Sequence, residues 1–226
     1  MKKSCFNFLA FFAIVITFGF LTASCSKDEP SVPNEFFMDI DTFVSSTENG
    51  VVVTVQGEGD SQPATISFPN QRITTDLKPG TRVLIAYRPN NGIPYITDTG
   101  TLYGMWYVYN GKITFGTKES TGLWMTMPQN ILSVWRTGKW LNFQAECTYV
   151  NDKPTDYELI VDETTLGNPY PQVHLIYTAD KGPDAQTQEF YASFDISEVW
   201  DLDNVQGIVL YVDGNNGMEE YTFEKQ

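Results

Sequence analysis

The sequence predicts an all-β protein, a β-barrel followed by an antiparallel β-sandwich. Three observations lead there. Period-two alternation of apolar and polar residues recurs along the chain, bounded by Gly, Pro and Asn. No segment beyond Cys25 sustains a helical period. Turn-forming clusters such as Lys78-Pro79-Gly80, Pro89-Asn90-Asn91-Gly92 and Asp213-Gly214-Asn215-Asn216-Gly217 fall at strand-length intervals.

The first set of strands is read at Val51 to Val55, Ala64 to Phe68, Arg82 to Arg88, Thr101 to Tyr109 and Lys112 to Thr117. Asn110-Gly111 between the last two predicts a hairpin, because a type I′ turn needs positive φ at both central positions. The pattern breaks between Lys118 and Asn130, where Gly122 and Pro128 interrupt the alternation, and the domain junction is placed there. A second set follows at Trp140 to Tyr149, Tyr157 to Val161, Val173 to Thr178, Glu189 to Ile196, Gly207 to Val212 and Met218 to Phe223. The expected domains are therefore a barrel over 36–120 and a sandwich over 128–226.

The N-terminus reads as an address. Lys2 and Lys3 precede an apolar run from Phe6 to Leu21, too short for the roughly 20 apolar residues of a spanning helix. Leu21-Thr22-Ala23-Ser24-Cys25 has the form of a lipobox. Residues 1–24 are thus expected to be a cleaved lipoprotein signal peptide, with Cys25 taking the lipid and residues 25–35 forming a flexible tether. Buried methylenes contribute about 0.8 kcal/mol each, so several acyl chains hold a protein on a membrane without a spanning helix. Ser26-Lys27-Asp28-Glu29 fits both an export signal to the outer face of the outer membrane and an ordinary solvated linker.

Charge and cysteine content exclude several classes. The chain carries a formal charge of −14, and cleavage would remove two lysines and no acid. So acidic a surface repels phosphate backbones, which excludes nucleic acid as a partner. Cys5 leaves with the signal and Cys25 is acylated, so Cys147 has no partner for a disulfide.

Several segments resemble the NigD-like lipoprotein family. They are Gly80-Thr81-Arg82-Val83-Leu84-Ile85, Ile131-Leu132-Ser133-Val134-Trp135, Lys139-Trp140-Leu141-Asn142-Phe143 and Ser193-Phe194-Asp195-Ile196. The resemblance implies an N-terminal OB-type β-barrel, a C-terminal β-sandwich and a lipid-bearing N-terminus. It implies no reaction, ligand or catalytic residue.

Catalytic constellations are scarce. His174 is the single histidine, and a Cys147–His174 dyad would need a thiol that the strand alternation puts on an apolar face. One histidine and one such cysteine also leave transition metals short of ligands, and no metal or cofactor is expected. Asp213-Gly214-Asn215 with Glu219 and Glu224 lacks the glycine and ligand spacing of an EF-hand, and Asp201-Leu202-Asp203-Asn204 fails in the same way. Adjacent acids such as Asp162-Glu163 and Glu219-Glu220 point to opposite faces of a strand, unlike a glycosidase pair. Gly57-Glu58-Gly59-Asp60 is a turn, without the lysine and helix of a phosphate loop.

The aromatic series Tyr87, Tyr95, Tyr103, Trp106, Tyr107, Tyr109 and Trp124 either fills the barrel or offers a binding face. In Thr101 to Tyr109 the alternation places Tyr103, Met105, Tyr107 and Tyr109 on one face and Leu102, Trp106 and Val108 on the other. Tyr103, Tyr107 and Tyr109 are the expected platform. The expected function is a membrane-anchored module, non-catalytic, that binds a protein or a glycan at the outer membrane of a Gram-negative cell. The face of that membrane stays open between the cell surface and the periplasm. A hydrolase of glycans using carboxylates is the alternative.

Overall fold

The computed structural model describes residues 36–73, 76–96, 98–117, 126–149, 156–179 and 186–226. The side chains of residues 147–149 and 156, the expected signal peptide, Cys25, Trp124 and most of the expected junction lie outside that description.

Five strands form the first sheet: β1 (Phe37–Thr47), β2 (Gly50–Val55), β3 (Ala64–Pro69), β4 (Arg82–Pro89) and β5 (Gly100–Tyr107). Their order is β3-β2-β1-β4-β5, with every neighbour antiparallel. The two outer strands approach each other where Ser67 bridges Thr99 in parallel and its N–H donates to the Asp98 carbonyl at 2.8 Å. That closure makes a five-stranded, partly open barrel of OB type. Its interior is filled by Phe43, Val53, Ile66, Phe68, Ile85 and Tyr87.

The central strand β1 is absent from the sequence reading, for a physical reason. Its alternation puts Phe37, Asp39, Asp41 and Phe43 on the face that enters the barrel, and Met38, Ile40 and Thr42 on the other. Two acids at interior positions erase the binary pattern by which a strand is recognised. Strand β4 shows the opposite signature, with burial along nearly its whole length. Val83, Ile85 and Tyr87 face the barrel interior, while Leu84 packs with Ile40 and Val108 beneath the second sheet.

The second sheet holds β6 (Tyr109–Gly116), β7 (Asn130–Thr137), β8 (Trp140–Tyr149), β9 (Asp156–Asp162), β10 (Gln172–Thr178), β11 (Gln186–Asp195), β12 (Gly207–Gly214) and β13 (Gly217–Glu224). Its order is β13-β12-β10-β9-β6-β11-β8-β7. The sheet is mixed: β10 with β12, β6 with β9 and β6 with β11 run parallel, and the other neighbours antiparallel. Strands from all parts of it share one core built on Phe143, Leu159, Leu175, Phe194 and Leu210. It nearly closes on itself, since Gln129, just before β7, bridges Gly214 and donates its N–H to the Asp213 carbonyl at 3.0 Å. The expected loop between β12 and β13 is a tight hairpin over Asn215 and Asn216, with Gly217 at φ 114°.

One expected turn is corrected. Asn110-Gly111 does not form a hairpin; neither residue has positive φ, and β6 continues from β5 across Val108 into the second sheet. The Asn110 carboxamide instead pairs with the backbone of Arg82, accepting its N–H at 2.7 Å and donating to its carbonyl at 3.0 Å. Asparagine here supplies a side-chain substitute for a ladder partner where the chain leaves one sheet for the other.

Candidate functional site

The two sheets are stitched together by two buried arginines. Arg82 leaves the outer face of β4 and donates from Nε to Ser193 at 3.2 Å and from its terminal nitrogens to Thr42, Thr137, Asn142 and the Ile40 carbonyl. Its guanidinium also lies 5.2 Å from the Trp140 ring centroid. Burial lowers its pKa to about 10, against the opposing pull of Asp41 and Asp39, so it stays charged at neutral pH. Arg136 on β7 makes the second stitch, with Asp60 at 2.7 Å and the Trp200 ring centroid at 4.4 Å.

Beside this junction opens a cleft of about 280 Å³. Met38 and Asp39 enter it from β1, Gln56 and Glu58 from the loop after β2, and Tyr95 from the loop before β5. The far wall is Ser133, Trp135 and Thr137 of β7 with Gln144 of β8. The Glu58 rim is pinned, because the following Gly59 accepts from the Gly138 N–H and donates to the Arg136 carbonyl, both at 2.8 Å.

The cleft floor is unusual. Asp39 accepts the Ile40 N–H at 2.9 Å and a short hydrogen bond from the Tyr95 hydroxyl. Tyr95 has φ 63°, a left-handed backbone that L-residues with bulky side chains rarely adopt and that costs about 1–3 kcal/mol. Burial raises the Asp39 pKa, with Tyr95, the Ile40 amide and Arg82 pulling it back. One strand repeat further in, Asp41 is fully buried and makes no well-formed hydrogen bond among the described residues, the Gln56 backbone N–H acting on it only as a weak donor. Burial and then repulsion from Asp39 hold its carboxyl well above the ordinary range. The Tyr87 hydroxyl, also inside the barrel, is unpartnered too, and burial followed by the charges of Asp41 and Asp39 raises its pKa. A larger hollow of about 410 Å³ bounded by Val44, Ser46, Arg72 and Leu77 has no such orphaned group among the described residues.

The expected aromatic platform divides. A β-bulge at Tyr103 shifts the register of β5 against β4, so Met105 packs toward the barrel core alongside Leu102 and the strict alternation is lost. Tyr103 is 61 % exposed and meets Phe36 edge-on at 6.4 Å; Trp106 is 49 % exposed. The indole lies back over Gly104, where a Cβ would come within 2.2 Å of the ring. Tyr107 is exposed and donates to Asp76 at 2.8 Å. Tyr109 belongs to β6, where its ring packs on Tyr157, Phe190 and Phe194 and its hydroxyl donates to the Tyr157 carbonyl at 2.8 Å. Phe36, Tyr103 and Trp106 therefore form an exposed shelf, and Met38 belongs to both that side of β1 and the cleft wall.

The other sequence candidates have structural roles or lie apart. His174 stacks on Tyr211 at 5.3 Å, and three strands separate its β10 from the β8 of Cys147. Asp162 caps a short 3-10 turn through the Thr164 N–H at 2.9 Å. Asp201 pairs with Lys139 at 2.6 Å, and Glu219 accepts from the Tyr221 hydroxyl. The paired acids that do share a face, Asp39 and Asp41, were missed; their i, i+2 spacing was the available signal.

No family model matches the sequence, and no curated protein matches it. Solved structures do. A protein of unknown function from Bacteroides vulgatus ATCC 8482 superposes with a TM-score of 0.67 at 17 % identity, over 85 % of this chain and 92 % of that one. A NigD-like immunity protein from Bacteroides caccae ATCC 43185 superposes at 0.59 and 14 % identity, over 88 % and 100 %. The chain has the fold of a NigD-like protein. A third neighbour, a provisionally assigned lipoprotein from Bacteroides fragilis NCTC 9343, gives 0.56 at 11 % identity, over 85 % and 99 %. At these identities the likeness concerns the fold. Three of the four segments that carried the sequence resemblance converge on one place in it, supplying Arg82, Trp140, Asn142 and Ser193 to the junction.

Proposed function

We propose that the protein is a lipid-anchored module of a Gram-negative outer membrane, acylated on Cys25, that acts by binding a protein or a glycan rather than by catalysis. The observation that carries this reading is the shelf of Phe36, Tyr103 and Trp106. Exposed aromatic groups gathered on one sheet face are uncommon on a monomer without a partner, and each offers a large contact area at small entropic loss. The shelf adjoins a cleft lined by polar groups, the combination that binding sites use for affinity and orientation. The provisional lipoprotein assignment of one structural neighbour agrees with the lipobox.

The hydrolase alternative has one observation in its favour: Asp39 and Glu58 line the same cleft. Asp41, the nearer acid in sequence, is sealed inside the barrel and cannot touch a substrate there.

Expression of wild type and Cys25→Ala with labelled palmitate tests the anchor. Label and membrane partition are expected for wild type alone; label on the variant overturns acylation at Cys25. Capture from membranes of the producing cell tests the module, with Tyr103→Ala and Trp106→Ala expected to lose the captured partner. Equal capture by both variants removes the shelf from the argument.

A further inference from the structure

We infer that the cleft between the barrel and β7 is a docking site for a cationic side chain, a lysine or arginine presented by a basic protein partner. This deepens the binding reading above and rests on it.

The chemistry is that of ammonium and guanidinium recognition. Two carboxylates, Asp39 and Glu58, face the same space of about 280 Å³. Tyr95 and Trp135 supply aromatic walls, whose faces attract cations. The Gln56 and Gln144 side chains add amide oxygens that can accept further N–H groups. Among the described residues, no lysine or arginine lines the cleft. The cations beside it are already engaged: Arg82 donates into the junction, to Ser193, Thr42, Thr137, Asn142 and the Ile40 carbonyl, and Arg136 donates to Asp60 and to the Gly59 and Gly138 carbonyls.

A second observation comes from behind the floor. Asp41 shares the inner face of β1 with Asp39, is fully buried, and among the described residues has only the Gln56 backbone N–H as a weak donor. The Tyr87 hydroxyl beside it is likewise unpartnered. Burial holds Asp41 toward its neutral form, so the charge that a cation meets in the cleft is that of Asp39 and Glu58. Charge complementarity acts on the whole molecule as well, since a chain of formal charge −14 draws a basic partner toward it and repels an acidic one. An uncharged sugar would meet the same hydroxyl and amide groups and leave the carboxylate charge unanswered.

Isothermal titration of the full-length protein in neutral detergent, at about 0.15 M ionic strength where the Debye length is about 8 Å, separates these ligands. The probes are hexalysine, hexalysine with every side chain acetylated, and cellohexaose. Hexalysine is expected to bind, the acetylated peptide and the sugar not. Glu58→Gln, on the exposed rim, and Asp39→Asn are each expected to weaken hexalysine about tenfold. Glu219→Gln with Glu220→Gln, remote on β13, should leave it within about twofold, because exposed charges beyond a Debye length are screened. Should Asp39→Asn unfold, the Glu58 variant alone carries the test. Equal weakening by the remote pair, unchanged binding to Glu58→Gln, or preferential binding of cellohexaose overturns the inference. If hexalysine fails while membrane capture still depends on Tyr103 and Trp106, only this inference falls and the module reading stands.

Discussion

Two buried ionisable groups lie back to back across the wall of the barrel, and the protein treats them in opposite ways. Arg82 on the outer face of β4 is surrounded by acceptors from both sheets and capped by Trp140. Asp41 on the inner face of β1 has no well-formed hydrogen bond among the described residues, only a weak one from the Gln56 backbone N–H. A saturated buried charge positions the elements that saturate it. A buried acid left nearly bare is pushed toward its neutral form instead, and costs the fold whatever ionisation it keeps. The difference separates the structural half of this polar centre from the half that can meet a ligand.

The largest effect should come from breaking the saturated side. Arg82→Ala takes away the guanidinium donors to the Ser193 hydroxyl, the Asn142 carboxamide oxygen and the Ile40 carbonyl, leaving Ser193 and Asn142 only their mutual hydrogen bond, and removes the cation that offsets Asp39 and Asp41. A loss of about 3–5 kcal/mol is expected in urea unfolding. Arg82→Lys should recover only part of it, because an ammonium cannot reach the forked set of acceptors. A loss below about 1 kcal/mol for Arg82→Ala would mean that the junction stands without its arginine.

The bare side should respond to pH with the opposite sense from an ion-paired acid. Asp41 keeps its proton in the folded state above the ordinary value of 3.8, at which the unfolded chain releases it. The folded protein therefore binds more protons over that interval, and stability falls as pH rises from 3.8 toward the raised folded value. Asp60, held low chiefly by its hydrogen bond with Arg136, works in the other direction and is common to both proteins. The comparison is thus the difference between wild type and Asp41→Asn. The variant should gain on wild type steadily as pH rises from 4, in thermal melts at fixed ionic strength. Parallel curves would show that Asp41 is not held protonated.

The same contrast explains what the sequence disclosed. Strands such as β10 and β12 alternate cleanly because one face meets an apolar core, and the turn at Asp213 to Gly217 announces itself by composition. The OB-type barrel followed by a β-rich second unit was legible on that basis and on the resemblance. Strand β1 was not, because Asp39 and Asp41 occupy positions where a strand pattern requires apolar residues. Local rules fail where a protein keeps polar groups inside for another purpose, and β1 brings Asp39 to the candidate site. Strand β7 was also left unread as a strand, its Ile131 to Trp135 noted only for the resemblance. Asn110-Gly111 misled for a different reason: its turn chemistry was used to hold Arg82 rather than to reverse the chain. The bulge at Tyr103 left no trace in the alternation of one strand, since it is a property of the pair.

A smaller effect distinguishes two tyrosines that one strand reading had joined. Tyr109→Phe keeps the ring among Tyr157, Phe190 and Phe194 and removes the hydroxyl that donates to the Tyr157 carbonyl. About 1 kcal/mol of stability should go with it, the net contribution of one such hydrogen bond. No change in unfolding would mean that solvent replaces the donor freely.

The smallest effect on stability belongs to Tyr103, and its smallness is the point. The ring is 61 % exposed, its aromatic neighbour Phe36 is exposed as well, and its place in a bulge leaves it outside the ladder register with β4. Truncation to alanine removes contacts made mainly with solvent, so the change in unfolding free energy should stay within about 0.5 kcal/mol. A residue that can be deleted from the fold at so little cost, yet is large, aromatic and set beside Trp106, is free to serve a surface contact. Urea melts of Tyr103→Ala and Tyr109→Ala together decide the matter. Tyr109→Ala should unfold far earlier and Tyr103→Ala with the wild type. If Tyr103→Ala loses as much as Tyr109→Ala, the shelf is part of the barrel's own packing and the binding surface must be sought in the cleft alone.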